Sequence, residues 1–313
     1  MRIFKQVPNF DFFSKGRYAA ALSIILVTTS IGSLIYQGLN LGLDFKGGIQ
    51  IEVGYPQEVS AETVRKQLAA AGFDDVVVQS IGETGKDLTI SIADKGTVTK
   101  AEVSNKVIDT LQKAGDEKID VRRRDFVGSK VGKELRDKGG IAMLLALGGI
   151  MIYVMFRFEW RFSLGAIVAT IHDVLITIGF FSVFQWPFDL TVLAAVLAII
   201  GYSLNDTVVV YDRIRENFRK MRKGTTLEIT NAAMNQTLSR TVMTSFTTLL
   251  VVSAMYFFGG PSIQPFSLAL IIGIVVGTYS SIYVASAMVL ALKVDRNHLM
   301  PAPKQTEGDG SHP

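Results

Sequence analysis

Apolar residues along this chain fall into long unbroken runs near both ends and short alternating runs between residues 38 and 138. The first long run, Tyr18 to Tyr36, approaches the ~20 apolar residues needed to cross the hydrocarbon of a bilayer. It is too long for the apolar core of a signal peptide and no small-x-small site follows it, so it reads as an uncleaved anchor. Further spans are expected at about 139–156, 163–184, 192–216, 241–258 and 266–292.

The alternating stretch is different in kind. The paired glycines of LGLDFKGG (Leu41 to Gly48) permit a tight turn ahead of a strand at Ile49 to Tyr55. Strands follow at Val76 to Ile81, Leu88 to Ile92 and Ile119 to Phe126. Between them lie two amphipathic helices, one capped by Ser60 and ending at Gly72, the other capped by Thr99 and ending at Gly115. The order β-α-β-β-α-β is that of a ferredoxin-like fold, two helices on one antiparallel sheet. The fold class is therefore a mainly α-helical membrane protein: six transmembrane helices, with a ferredoxin-like α+β domain between the first and second. The expected divisions are an interfacial N-terminus (1–17), the first span (18–37), the outer domain (38–138), a five-helix remainder (139–292) and a tail (293–313) whose composition predicts disorder.

Composition narrows the function. The mean hydropathy is +0.33, yet 19% of the 313 residues are charged, which suits a multispanning protein carrying one water-soluble domain. The net charge of +4 does not signal nucleic acid, because the cations collect beside apolar spans. Lysine and arginine occupy the ends and the turns at 157–161 and 212–240, whereas 185–189 and 259–265 carry none. By the positive-inside rule both termini are cytoplasmic and the outer domain lies across the membrane. With no cysteine, and with His172, His298 and His312 lacking ligand spacing, no cofactor or metal is expected. The outer domain shows no catalytic constellation, so binding rather than an enzyme activity is expected of it.

Three places break the apolar pattern. In the fourth span, TVLAAVLAIIGYSLNDTVVVYDRIRE places Ser203, Asn205, Asp206 and Thr207 between apolar residues. A carboxylate in hydrocarbon costs roughly 2.5–3.5 kcal/mol on insertion scales and tends to mark an ion pathway, a proton relay or a buried pair. The alternative is a helix that ends near Leu204, with Asp206 capping the next segment; it would leave Val208 to Tyr211 without an apolar partner. The second break is Arg240 with Thr241, Thr244, Ser245, Thr247 and Thr248 at the entry of the fifth span. Spans four and five join on the same side at matching depth, which allows an Asp206–Arg240 pair. A carboxyl balanced between burial and a cationic neighbour can titrate when that neighbour moves, as a proton carrier requires. Arg240 alone would read as a snorkelling anchor. The third break, His172 and Asp173, lies ~14 to 15 Å deep in the third span. Neighbours on a helix point about 100° apart, so the two are not expected to pair with each other. They are open to two readings, members of a relay or hydrogen bonds holding the bundle together. Gly273 and Gly277, with Gly148 and Gly149 in the second span, are expected to serve helix packing.

Several stretches together resemble the SecF family of bacterial protein-export membrane proteins, within the resistance-nodulation-division superfamily. They are DFKGG after the first span, FVGSKVGKEL before the second, HDVLITIGFFS in the third, IIGYSLNDTVVVYDRIREN in the fourth and LSRTVMTSFTTLL in the fifth. The resemblance implies an inner-membrane protein with a periplasmic domain, in complex with SecD and assisting the SecYEG channel, with YajC and YidC as further partners and a translocating preprotein as the cargo. It also implies that proton movement through the membrane region drives the work. The family's relay residues, the acid of NDT and the arginine of SRT, fall on Asp206 and Arg240. Asn205, Thr244, His172 and Asp173 are the supporting candidates. The chain holds one six-span half of the fused SecDF arrangement, so a separate SecD is expected. Two other functions fit the architecture, a half-transporter exporting a drug or lipid by proton antiport and a scaffold whose buried charges act as glue.

Overall fold

The structure, a computed structural model, describes residues 8–73, 76–81, 85–93, 100–115, 119–221, 223–260 and 262–295. The expected cap at Thr99, Arg222 and the tail beyond residue 295 lie outside the described residues.

Among the described residues, six helices are long and apolar enough to cross a membrane. They are α1 (Gly16–Tyr36), α5 (Ser129–Arg157), α6 (Trp160–Val183), α7 (Leu190–Lys220), α8 (Thr226–Phe258) and the sixth span, which is composite. That last span begins as α9 (Gln264–Ser280), passes through a π-helical turn at Ser281–Ala285 and ends as α10 (Ser286–Ala291). Helix α7 settles the reading of the fourth span: it runs through Asp206 without a break, so the acid is internal and not a cap. Likewise the polar stretch from residue 129 and the apolar run after it form one helix, α5, and the amphipathic stretch before Arg240 belongs to α8. Helix α8 opens with the expected chemistry of a helix start. Thr225 Oγ1 accepts from the Glu228 amide at 3.3 Å and Glu228 Oε2 accepts from the Thr225 amide at 2.8 Å.

Helices α6, α7 and α9 form the core of the bundle, whereas α1 and α5 bury few residues fully and each keeps much of its surface exposed. Glycine brings the helices close where it faces a neighbour. A Cβ at Gly273 would stand 2.3 Å from Ile199 Cδ1, and one at Gly277 would stand 3.2 Å from Ser203 Cβ, so α9 lies directly on α7. Gly179 of α6 does the same for α1, since its Cβ would meet Ser30 Oγ at 2.0 Å. Gly148 and Gly149 do not share this role; neither has any atom within 4 Å of a Cβ position, because α5 turns that face outward.

Between α1 and α5 lies the small domain: the short helix α2 (Leu43–Lys46), then β1 (Gly48–Gly54), α3 (Ala61–Ala70), β2 (Val76–Ile81), β3 (Asp87–Ala93), α4 (Lys100–Gly115) and β4 (Asp120–Val127). The sheet order is β2-β3-β1-β4 and every pairing is antiparallel, with Ile51 opposite Ile90 on one side and Arg124 on the other. Alternation decides its two faces. Ile49, Ile51 and Val53 point with Val78, Leu88 and Ile90 onto Val64 and Leu68 of α3 and Val107, Ile108 and Leu111 of α4. The opposite face, with Gln50, Glu52, Thr89 and Ser91, lines a cleft of about 780 Å³ against the ends of the spans. The domain is fastened at the DFKGG turn. Gly47 has φ +72° and Gly48 φ +142°, conformations that exclude most side chains, and a Cβ at Gly132 of α5 would stand 2.9 Å from the Gly47 nitrogen. Asp44 Oδ2 in the same turn accepts from the Leu190 amide at 3.1 Å, beside Asp189, whose Oδ1 accepts from Val192 at 2.8 Å. Two carboxylates thus sit on the N-terminus of α7.

Candidate functional site

Asp206 is 8% exposed and faces the junction of α7, α8 and the π-helical turn. Thr241 Oγ1 donates to its Oδ1 at 2.7 Å, and Ser281 Oγ donates to its Oδ2 at 2.5 Å. Ser281 is the first residue of the π turn, and such turns, which break the regular i→i+4 ladder, recur at functional sites. One helical turn nearer the end of the bundle that bears the small domain, the same three helices repeat the pattern. There Tyr202 OH donates to Ser245 Oγ at 3.2 Å and Ser245 meets Thr278 Oγ1 at 2.7 Å. Asp206 is therefore the inner end of a short polar track between α7, α8 and α9.

Arg240 does not form the expected ion pair with Asp206: no such pair is present among the described residues, and the Arg240 side chain is uncovered by the rest of the chain. The reason lies in α8, where successive residues point about 100° apart. Thr241 faces inward and takes the carboxylate, which turns Arg240 outward. Asn205 is exposed on the outer face of α7. Thr244 is also exposed, and its hydroxyl donates to its own helix at Arg240 O and Thr241 O, 3.0 Å each.

His172 and Asp173 contradict the expectation that they stay apart. His172 Nδ1 lies 2.9 Å from Asp173 Oδ1, since two side chains of this length can swing toward each other across the 100° between them. Asp173 is fully buried. Its Oδ2 accepts from Ser280 Oγ at 2.7 Å and also from Ser203 Oγ. On the far side of the ring, His172 Nε2 is 3.2 Å from Ser23 Oγ of α1. Ser23 in turn meets Tyr279 OH at 2.9 Å, and Tyr279 donates to Ala19 O at 2.6 Å. Ser280 and Ser281 carry much of this geometry and were not legible as candidates; the pair YSSIY inside an apolar run was the available signal.

These features define a multi-pass membrane protein whose helix bundle buries two hydrogen-bonded carboxylates beneath a small α+β domain. Residues 106–295 match the family model described as protein export membrane protein SecD/SecF, C-terminal, and residues 32–58 match the SecD/SecF GG motif. The chain belongs to the SecD/SecF family of protein-export membrane proteins. It is 46% identical to protein translocase subunit SecF of Vibrio alginolyticus over 307 residues, covering 98% of this chain and 97% of that one. It is 40% identical to the subunit of the same name from Escherichia coli O157:H7, covering 96% and 93%. The crystal structure of SecDF, a translocon-associated membrane protein from Thermus thermophilus, superposes with a TM-score of 0.84 at 38% identity, over 93% of this chain. SecDF in its super-membrane-facing form gives 0.67, also at 38% identity, over 91%. The chain spans only 40% of the length of the first of these SecDF chains and 39% of the second.

Proposed function

We propose that this chain is an accessory subunit of the Sec protein translocase that works with a SecD protein and uses the proton-motive force to promote preprotein movement across the bacterial inner membrane. Its termini face the cytoplasm. The small domain is ferredoxin-like and periplasmic, and its open sheet face looks onto the bundle. The observation that carries the reading is Asp206, a carboxylate inside a spanning helix, gripped from two other helices by Thr241 and Ser281. As an anion it draws charge-assisted bonds, roughly twice as strong as neutral ones. A bound proton cancels that charge and makes the carboxyl a donor, so one of the two hydroxyls must turn and the grip of α7 on α8 and the π turn weakens. Arg240, turned outward on α8, favours proton release when it swings inward. Each proton brings about 2.3 kcal/mol per 100 mV of membrane potential, so the work is done by repeated cycles.

The route outward is supported by the same helix. The far end of α7 is capped by Asp44 of the DFKGG turn, and that turn leads directly into β1. A shift of α7 is thus delivered to the sheet without an intervening flexible loop. The test is co-reconstitution with a SecD partner and the SecYEG channel in sealed vesicles. Asp206→Asn assembles normally and loses the export stimulation that depends on the proton gradient; full stimulation in that variant overturns the reading.

A further inference from the structure

The His172–Asp173 pair joins more elements than Asp206 does. Tyr279 has one hydroxyl proton and gives it to Ala19 O at 2.6 Å. The same hydroxyl lies 2.9 Å from Ser23 Oγ, a contact in which either oxygen can be the donor. Ser23 Oγ is also 3.2 Å from His172 Nε2, where the ring tautomer decides which group donates. One hydrogen lies in the 2.9 Å contact between Nδ1 and Asp173 Oδ1, because a bare nitrogen and a bare carboxylate would repel there. With that hydrogen as the only one on the ring the pair carries a charge of −1, and one further proton, on Nε2 or on the acid, makes it neutral; the contacts accommodate both states.

We propose that His172 and Asp173 form a second proton-holding site that ties proton occupancy to the first span. The site deepens the proton-driven reading given above and rests on it. Without the further proton the pair is a neutral imidazole beside a buried carboxylate, a net charge of −1 answered by Ser203, Ser280 and the ring's own N–H. The site is built to feel Asp206. Ser280 donates to Asp173 and its neighbour Ser281 donates to Asp206, while Ser203, the other donor to Asp173, stands three residues before Asp206 on α7. Gly277 leaves the acid its room: a Cβ there would stand 3.6 Å from Asp173 Oδ2. Among the described residues, the titratable groups around the pair are Tyr279 of the sixth span, stacked 6.2 Å from the imidazole, Tyr283 behind it at 5.3 Å from Tyr279, and Asp206 across α7. Helix α1 presents only Ser23 and the Ala19 carbonyl.

The output is α1. That helix touches α6 through Ser23, through Ser30 against Gly179, and through Ser33 and Gln37 on Ser182, and its C-terminal end leads into the DFKGG turn. Changing the charge of the pair changes whether Ser23 is held, and so how firmly α1 is seated.

The experiment uses the chain reconstituted with a SecD partner and the SecYEG channel, and records the pH profile of gradient-driven export. His172→Gln can still bond both Ser23 and Asp173 but cannot carry charge. It is expected to move the profile by roughly one pH unit or more, and Asp173→Asn is expected to reduce stimulation about tenfold with assembly intact. An unchanged profile in His172→Gln, beside an inactive Asp206→Asn, overturns the second site and leaves the first standing. Full activity of Asp206→Asn overturns the underlying reading instead. Where pair variants do not assemble, infrared titration of the Asp206→Asn complex decides. A protonated-carboxyl or imidazolium band that titrates between about pH 5 and 9 supports the site, and its absence overturns it.

Discussion

Ser280 and Ser281, adjacent in the sixth span, donate to two different buried carboxylates, Asp173 and Asp206. On a regular helix their side chains diverge by about 100°, and here that divergence lets one short segment touch both acids. The π turn that starts at Ser281 is thus placed where protonation of either acid changes the hydrogen bonding of the same piece of backbone.

Removing the Ser281 hydroxyl leaves Asp206 with Thr241 as its one remaining donor. Ser281→Ala is expected to cost roughly 1–3 kcal/mol, read as an earlier midpoint in denaturant for the purified protein, and to lower gradient-driven export. Thr241→Val should behave alike, and the double variant should cost less than the sum, because both hydroxyls serve one group. Strict additivity would show that the two act independently.

The glycines divide by position. Gly273→Ala is expected to lower the thermal midpoint, since a Cβ would be driven into Ile199 and forced repacking costs typically 1–3 kcal/mol. Gly148→Ala meets nothing within 4 Å and should raise helix stability by up to about 1 kcal/mol in the chain alone. If Gly148→Ala is destabilising only once the SecD partner is bound, the uncovered face of α5 is where that partner lies.

Much of this architecture could be read from residue order. Leu88 to Ile92 alternates strictly and lies within β3, Val76 to Ile81 forms β2 over those residues, and Ser60 caps α3 with its side chain on the Glu62 amide. Asp206 stood out because a charge interrupts an apolar run. Its surroundings were hidden for a physical reason: Thr241 and Ser281 come from helices 35 and 75 residues away, and no local pattern says which face of α8 turns inward. The Asp206–Arg240 pair was expected from matching depth alone, and depth does not fix rotation about the helix axis. His172 and Asp173 pair because rotamers, not backbone direction, decide contacts between neighbours. The π turn leaves no mark in composition.

Thr207 is buried at 1% exposure, and its hydroxyl has no hydrogen-bond partner among the described residues. Burying such a group costs about 1–3 kcal/mol, and valine has nearly the same shape. Thr207→Val should therefore raise the denaturation midpoint and leave export unchanged. A lower midpoint would mean that the hydroxyl is bonded in the working complex.

Asp44 joins the DFKGG turn to α7. Asp44→Ala removes one of two caps and should cost about 1 kcal/mol in stability, with Asp189 still in place. Export stimulation should fall further than that loss explains, because the link between α7 and the sheet is cut. A fall matched by a stabilising second-site change, with activity restored, would make Asp44 a cap and nothing more.

Proton movement itself is the most direct measure. In sealed vesicles carrying the complete complex and a pH-sensitive dye, a translocating preprotein should draw protons inward through the wild-type chain, and Asp206→Asn should reduce that flow to the level of vesicles lacking the chain. Equal proton flow through wild type and Asp206→Asn would contradict the account.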